Sequence, residues 1–162
     1  MHPYPPHLKT FDYRGKHSYF LTFTTLDRRA LFVEERAVSL VLQQFLRAAT
    51  EQQFEITTYC FMPDHVHLLV MGLGDTSCCR RFIKLAKQYS GYYFHRHRGE
   101  TLWQRYGYER ALRSEIERAT TIRYILDNPV EAGLAQEPGD YPFVGSSCFS
   151  LPELVQQAAR RG

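Results

Sequence analysis

The sequence predicts an α+β domain. Strand-type runs fall at 19–25, 54–61 and 66–70, and two amphipathic helical stretches, at 34–52 and 77–98, alternate with them. The resulting order is strand–helix–strand–strand–helix, with no internal repeat and no linker that would divide the chain.

The first eighteen residues, beginning MHPYPPHLK, form a Pro-rich arm without a regular period. A domain over 19–150 and a tail over 151–162 follow from the patterning. YFLTFTT, at 19–25, alternates Thr with aromatic residues and makes a good first strand. Arg28 and Arg29 fall in the loop behind it, either solvated or in contact with phosphate. Over 34–52, Val38, Val41, Leu42, Phe45, Leu46 and Ala49 recur at three- and four-residue steps, giving one apolar helix face. Glu34 and Glu35 stand at its N-terminal end, where the helix dipole favours acids.

FEITTYCFMPDHVHLLVMG, at 54–72, reads as two strands broken at Met62-Pro63-Asp64, since Pro fixes φ and lacks the donor of a central strand. Side chains alternate along a strand, so His65 and His67 project to one face and Val66 to the other. Such a pair can hold a divalent cation if a third ligand arrives from elsewhere. The alternative is two hydrogen-bonded histidines without a ligand role.

The stretch at 77–98 presents Phe82, Leu85, Ala86, Tyr89 and Tyr93 as a packed face, with Arg80, Lys84 and Lys87 on a neighbouring one. Between Thr76 and Gly99 there are six Lys and Arg residues, Arg81 among them, and no acid. That concentration suits a polyanion. LWQRYGYERALRS, at 102–114, is aromatic and basic, and adds Trp103 and Arg105 to the candidate nucleic-acid contacts, with a short strand at 110–112. Ser114 and Glu117 form a capping-box signal for a third helix, expected to run to Asp127 and stop before Pro129. On it Ile116, Ala119, Ile122 and Leu126 share the packed face, while Tyr124 and Asn128 lie one turn apart on another. The chain beyond Gly133 reads as loop, and the tail as a last helix ending in Arg160 and Arg161.

Composition sets the boundaries of function. Net charge is +3, from 20 basic and 17 acidic residues, so only the local basic segment speaks for a polyanion. Cys60, Cys78, Cys79 and Cys148 lack a C-x-x-C spacing, which points to reduced thiols and a cytoplasmic protein. No apolar run is long enough to span a membrane, and no signal peptide is recognisable. Gly72-Leu73-Gly74 lacks the third glycine of a dinucleotide fingerprint, and no phosphate-binding G-x-x-x-x-G-K-[ST] occurs, so no nucleotide cofactor is expected.

MPDHVHLLV, LWQRYGYERALR and RYILDNPVEAGL, in this order, resemble the single-tyrosine HUH transposases, and more closely their REP-associated tyrosine transposase branch. The resemblance spans 19–147. It implies a ferredoxin-like antiparallel sheet with packed helices, His65 and His67 as metal ligands, Asn128 as the third, and Tyr124 as the nucleophile. Asn followed by Pro matches the REP-associated branch, where mobile relatives often carry Gln. The implied activity is cleavage and rejoining of single-stranded DNA at a hairpin-forming palindromic repeat, through a 5′-phosphotyrosine, by a monomer. Two imidazoles alone suit zinc or another transition metal, whereas the resemblance implies Mg²⁺ or Mn²⁺. Two rivals stand beside this reading: a catalytically silent hairpin-binding module, and a metal-dependent hydrolase built on the His-x-His pair.

Overall fold

The computed structural model describes residues 12–160. Most of the Pro-rich arm, and Arg161 at the end of the tail, therefore lie outside the described residues. Five strands form one antiparallel sheet in the order β4-β1-β3-β2-β5. They are β1 (Ser18–Thr24), β2 (Phe54–Met62), β3 (His65–Gly72), β4 (Tyr108–Leu112) and β5 (Val144–Gly145). With α1 (Glu35–Gln52) and α2 (Cys79–Arg98), the first four give the β1-α1-β2-β3-α2-β4 series of a ferredoxin-like fold. The expected fold class is the observed one. β5 and the two later helices, α3 (Glu115–Glu131) and α4 (Leu151–Ala158), complete it.

The sheet is covered on both faces because its strands alternate two apolar sets. Tyr19, Leu21, Phe23, Val66, Leu68 and Val70 turn to one side, where they meet Val41 and Phe45 of α1 and Phe82, Ala86 and Phe94 of α2. Cys60, Met62, Leu69 and Leu112 turn to the other, against Ile122, Ile125 and Leu126 of α3 and Leu154 of α4. The larger core thus belongs to α1 and α2. α3 and α4 close the smaller one, and His65 and His67 share the α3 face with Leu69.

Four local readings change in three dimensions. α3 does not stop at Asp127 but runs through Pro129 to Glu131. Proline here forfeits one late helical bond, and the helix is closed by Gly133 at φ 75°, with Leu134 N–H donating to Pro129 O at 2.8 Å. Ile116, expected on the packed face, is 54% exposed, and Ile125 takes a place in the core. On α2 the core positions are completed by Ser90 and Phe94 rather than Tyr93. Finally, the segment after Gly133 is not wholly loop: β5 pairs with the edge of β2, and the Tyr141 hydroxyl donates to the Phe61 carbonyl.

The capping signal is half realised. Ser114 Oγ accepts from Glu117 N–H at 3.1 Å, but the Glu117 carboxylate accepts from Arg113 N–H at 2.7 Å, one residue further out. α4 carries a complete box, Ser150 with Glu153, at the start of the tail. No helix among the described residues is long and apolar enough to cross a membrane.

β4 enters the sheet at Gly107, where the chain passes very near β1. A Cβ at Gly107 would stand 2.7 Å from the Thr22 carbonyl oxygen, too close for a backbone contact. Gly107→Ala should therefore destabilise the protein by about 1–3 kcal/mol. Urea unfolding is expected to show a lower midpoint with an unchanged slope.

Candidate active site on the α3 face of the sheet

The pairing of β1 with β3 sets Thr22 opposite His67 and Thr24 opposite His65. Directly paired residues of antiparallel strands point to the same side. The two imidazoles lie with ring centroids 4.7 Å apart. His67 Nδ1 shares a 2.8 Å hydrogen bond with Thr22 Oγ1, and His65 Nδ1 lies 2.7 Å from Asp64 Oδ1. With both Nδ1 atoms engaged, the Nε2 atoms are the positions left for a ligand.

His67 is buried, and burial, aided by the neighbouring His65, pushes it down to about 3. It is therefore neutral at physiological pH, the form a metal ligand requires. Burial of Asp64 opposes its ionisation. The hydrogen bond and charge of His65, together with the Arg28 guanidinium, outweigh this and hold the carboxyl below its ordinary value. An ionised carboxylate only accepts, so the His65 nitrogen that faces it, Nδ1, is the one that carries a proton.

Tyr124 comes from α3. Its ring meets His67 edge to face at 5.5 Å between centroids and Phe20 of β1 at 5.8 Å. Phe20 also touches His67, at 5.4 Å, so the three rings support one another. Tyr124 is 47% exposed, and its hydroxyl has no hydrogen bond among the described residues. Asn128 follows one turn later on the same helix, half-buried, its side-chain amide likewise without a partner among the described residues. Two imidazole Nε2 atoms and an amide oxygen, none with a partner among the described residues, are a donor set that fits a divalent cation. Among the described residues no group of three His, Cys, Asp or Glu side chains offers a rival site. Cys60 faces His67 across the ladder, but burial pushes its thiol up to about 12 and it packs on Met62 at 3.8 Å.

The other sequence-predicted residues lie elsewhere. Trp103 is buried in the α1–α2 core between Phe23, Phe32 and Phe45, with its indole N–H on Ser90 Oγ at 2.8 Å, so it is core and not a stacking platform. Lys87 donates to the carbonyls of Gln104 and Arg105 at 3.0 and 3.2 Å and pins that loop to α2. Burial lowers its pKa. Arg80 stacks on Tyr13 and Arg105 on Tyr106. Arg28 pairs with Asp64 and Arg29 with Glu100. Arg81 and Lys84 are exposed and without an ion pair among the described residues, but α2 covers the face opposite the histidines. The basic helix and the imidazole pair are therefore separated by the thickness of the sheet.

Four residues of the site were not singled out in the sequence. Thr22 and Phe20 are placed by strand register, which is non-local, and only the alternation in YFLTFTT hinted that they share a face. Asp64 was read as turn chemistry alone. Arg110 stands opposite Phe20 on β4, exposed, on the α3 face, and without an ion pair among the described residues.

The comparisons with known proteins place the chain in a class of DNA strand-transfer enzymes. The chain belongs to the IS200-like transposase family, whose description matches residues 14–128. It is 24% identical over 127 residues to the REP-associated tyrosine transposase of Escherichia coli K12, covering 78% of this chain and 74% of that one. Its fold matches a solved structure of a REP-associated tyrosine transposase bound to a REP hairpin, with a TM-score of 0.70 and 20% identity over 86% of this chain and 82% of that one.

The depressed His67 has a consequence for stability. Its folded value, about 3, lies below the unfolded value of about 6.5. Its contribution is fully present above pH 6.5 and is lost as pH falls, because the unfolded chain takes up a proton that the folded site refuses. The loss is at most about 1.4 kcal/mol per pH unit. In metal-free protein, His67→Gln should flatten the fall of Tm between roughly pH 6.5 and 4.

Proposed function

We propose that the chain cleaves and rejoins single-stranded DNA at a hairpin-forming palindromic repeat, with Tyr124 as the nucleophile. The observation that carries this is the contact of the Tyr124 ring with His67 of the same chain, with the hydroxyl uncommitted. A related structure bound to a REP hairpin suggests the substrate class. Tyr124 Oη attacks the scissile phosphorus and loses its proton. The bond from phosphorus to the 3′-oxygen breaks, and that oxygen takes up a proton. The products are a 5′-phosphotyrosine and a free 3′-OH. Rejoining is the reverse attack of a 3′-OH, and since the phosphoester bond is conserved it needs no nucleotide cofactor.

His65, His67 and Asn128 would hold Mg²⁺ or Mn²⁺, which neutralises charge on the phosphate and orients it when bound. Thr22 holds the His67 ring, and Phe20 supports the Tyr124 ring from below. Arg110 is placed to meet a phosphate on the α3 face. A single chain carries every one of these groups, in keeping with a monomer. In this reading 19–150 is the catalytic domain, between the Pro-rich residues 1–18 and the 151–162 tail.

The hydrolase alternative releases cleaved DNA without a protein adduct, and the silent module leaves the DNA whole, so a denaturing gel with labelled hairpin DNA separates all three. Tyr124→Phe removes one hydroxyl that bonds nothing among the described residues, so its cost in stability should stay within about 1 kcal/mol. The variant should bind the hairpin as wild type does and form no adduct. An adduct formed by Tyr124→Phe places the nucleophile elsewhere.

Arg110→Ala should also reduce the dependence of binding on salt, lowering the slope by about 0.7 for one lost phosphate contact. The same titration on Lys84→Ala tests whether the strand reaches α2 on the far face. An unchanged slope there confines the DNA to the α3 side.

A further inference from the structure

The connection from β1 to α1 is strained and tightly fixed. Asp27 and Arg28 both adopt left-handed backbone, at φ 55° and 53°, which residues with a Cβ avoid. Two such residues in succession persist only where their surroundings hold them. The surroundings are the turn between β2 and β3. Thr25 N–H donates to the Asp64 carbonyl at 3.0 Å, the Thr25 hydroxyl lies 2.7 Å from the Arg29 carbonyl and 3.0 Å from that of Asp64, and Phe32 N–H donates to the Pro63 carbonyl at 3.0 Å.

The product of this strained path is one contact. It returns Arg28 so that its Nε–H donates to Asp64 Oδ2 at 3.1 Å, while Asp64 Oδ1 accepts from His65 Nδ1 at 2.7 Å. One carboxylate thus bridges a guanidinium and an imidazole with a separate oxygen for each. Arg28 is 65% exposed on its side chain, which leaves the pair little to add to the fold. In its geometry the guanidinium takes Oδ2 and leaves Oδ1 to His65.

We propose that Asp64, braced by Arg28, is a positioning residue that fixes the ring direction and tautomer of His65, so that its Nε2 lone pair is offered to the divalent cation. This rests on the reading above, in which His65 is a ligand. It also reassigns Arg28 from a DNA contact to a brace. His67 has a different arrangement: its partner Thr22 is a hydroxyl that can donate or accept and leaves the tautomer unspecified. Asp64 can only accept, so the two histidines are not equivalent. Partners of this kind, bonded to the far nitrogen of a ligating imidazole, typically change metal affinity or activity by about 10–100-fold when removed.

The test reads the ring and the cation directly, with no DNA present. In metal-free wild type, long-range nitrogen–proton NMR should find the proton of His65 on Nδ1. In Asp64→Ala it should move substantially to Nε2. Mn²⁺ affinity, followed by electron paramagnetic resonance, should fall by about 10–100-fold in Asp64→Ala. Asp64→Asn can still accept through its amide oxygen, so it should keep the Nδ1–H form and lose less affinity. Arg28→Gln should lose least.

If Asp64→Ala leaves both tautomer and affinity unchanged while His65→Ala loses Mn²⁺, the positioning role is overturned and the ligand assignment survives. If His65→Ala also binds Mn²⁺ normally, the ligand assignment itself fails. Should Asp64→Ala not fold, Asp64→Asn carries the decision through Mn²⁺ affinity: a value below wild type supports the role of the carboxylate, and a value equal to wild type rejects it.

Discussion

The register between β1 and β3 is the constraint on which the site depends. It places Thr22 beside His67 and Thr24 beside His65, over seven consecutive pairs from Ser18↔Met71 to Thr24↔His65. A slip of one residue would turn both histidines into the α1–α2 core and Val66 and Leu68 out to the α3 face. The apolar set on β1 and β3 is therefore what specifies the register. Tyr19, Leu21 and Phe23 fit with Val66, Leu68 and Val70 under α1 and α2, and the imidazoles take the other face as a consequence. The chemistry is positioned by the hydrophobic effect acting on its neighbours in sequence.

The two faces divide the work. Under α1 and α2 lies a continuous aromatic core, where Phe45, Phe61 and Trp103 stack and Phe54 stacks on Phe82. The α3 face is covered less completely: α3 and α4 pack over Leu69, Ile122, Ile125 and Leu154, leaving Tyr124 at the margin. A densely packed face gives rigidity, and an incompletely covered one leaves room for substrate. Arg123 joins α3 to α4 by donating to the Ala158 carbonyl, which holds the helix that carries Tyr124 from behind.

Much of what depended on local period was legible in the sequence, with Ile116 and Tyr93 as exceptions. The turn at Pro63-Asp64, the shared face of His65 and His67, the extents of α1 and α2 and the spacing of Tyr124 and Asn128 all follow from two- or four-residue repeats. What depended on long-range partners was not. Trp103 lies in a basic, turn-rich stretch that suggested a surface, yet Ser90, thirteen residues earlier, receives its indole N–H in the core. Lys87 looked like part of a phosphate-binding stripe, but its ammonium is used by two carbonyls of the following loop. Cationic side chains have long stems, and composition alone does not say whether their charge is already committed. Arg110 shows the converse: a single Arg on a short edge strand becomes the uncommitted charge on the α3 face because of where β4 is paired.

Pro129 explains why a helix that appears to end early is useful. The residue before a proline is driven from helical to extended backbone, so Asn128 would ordinarily leave the helix and its side chain would swing away from that of Tyr124. The chain resists this by continuing α3 to Glu131 and closing it on Gly133, whose left-handed φ of 75° lets Leu134 N–H reach the Pro129 carbonyl. Pro129 itself is buried, adding packing where it removes a hydrogen bond. Asn128 thereby keeps helical geometry one turn after Tyr124, and the two side chains remain on one side of α3. The same proline bars α3 from a normal hydrogen bond back to Ile125, a concession made next to the very residues that need fixed directions. Stability is spent at the end of the helix to keep an amide and a phenol on the same side of α3.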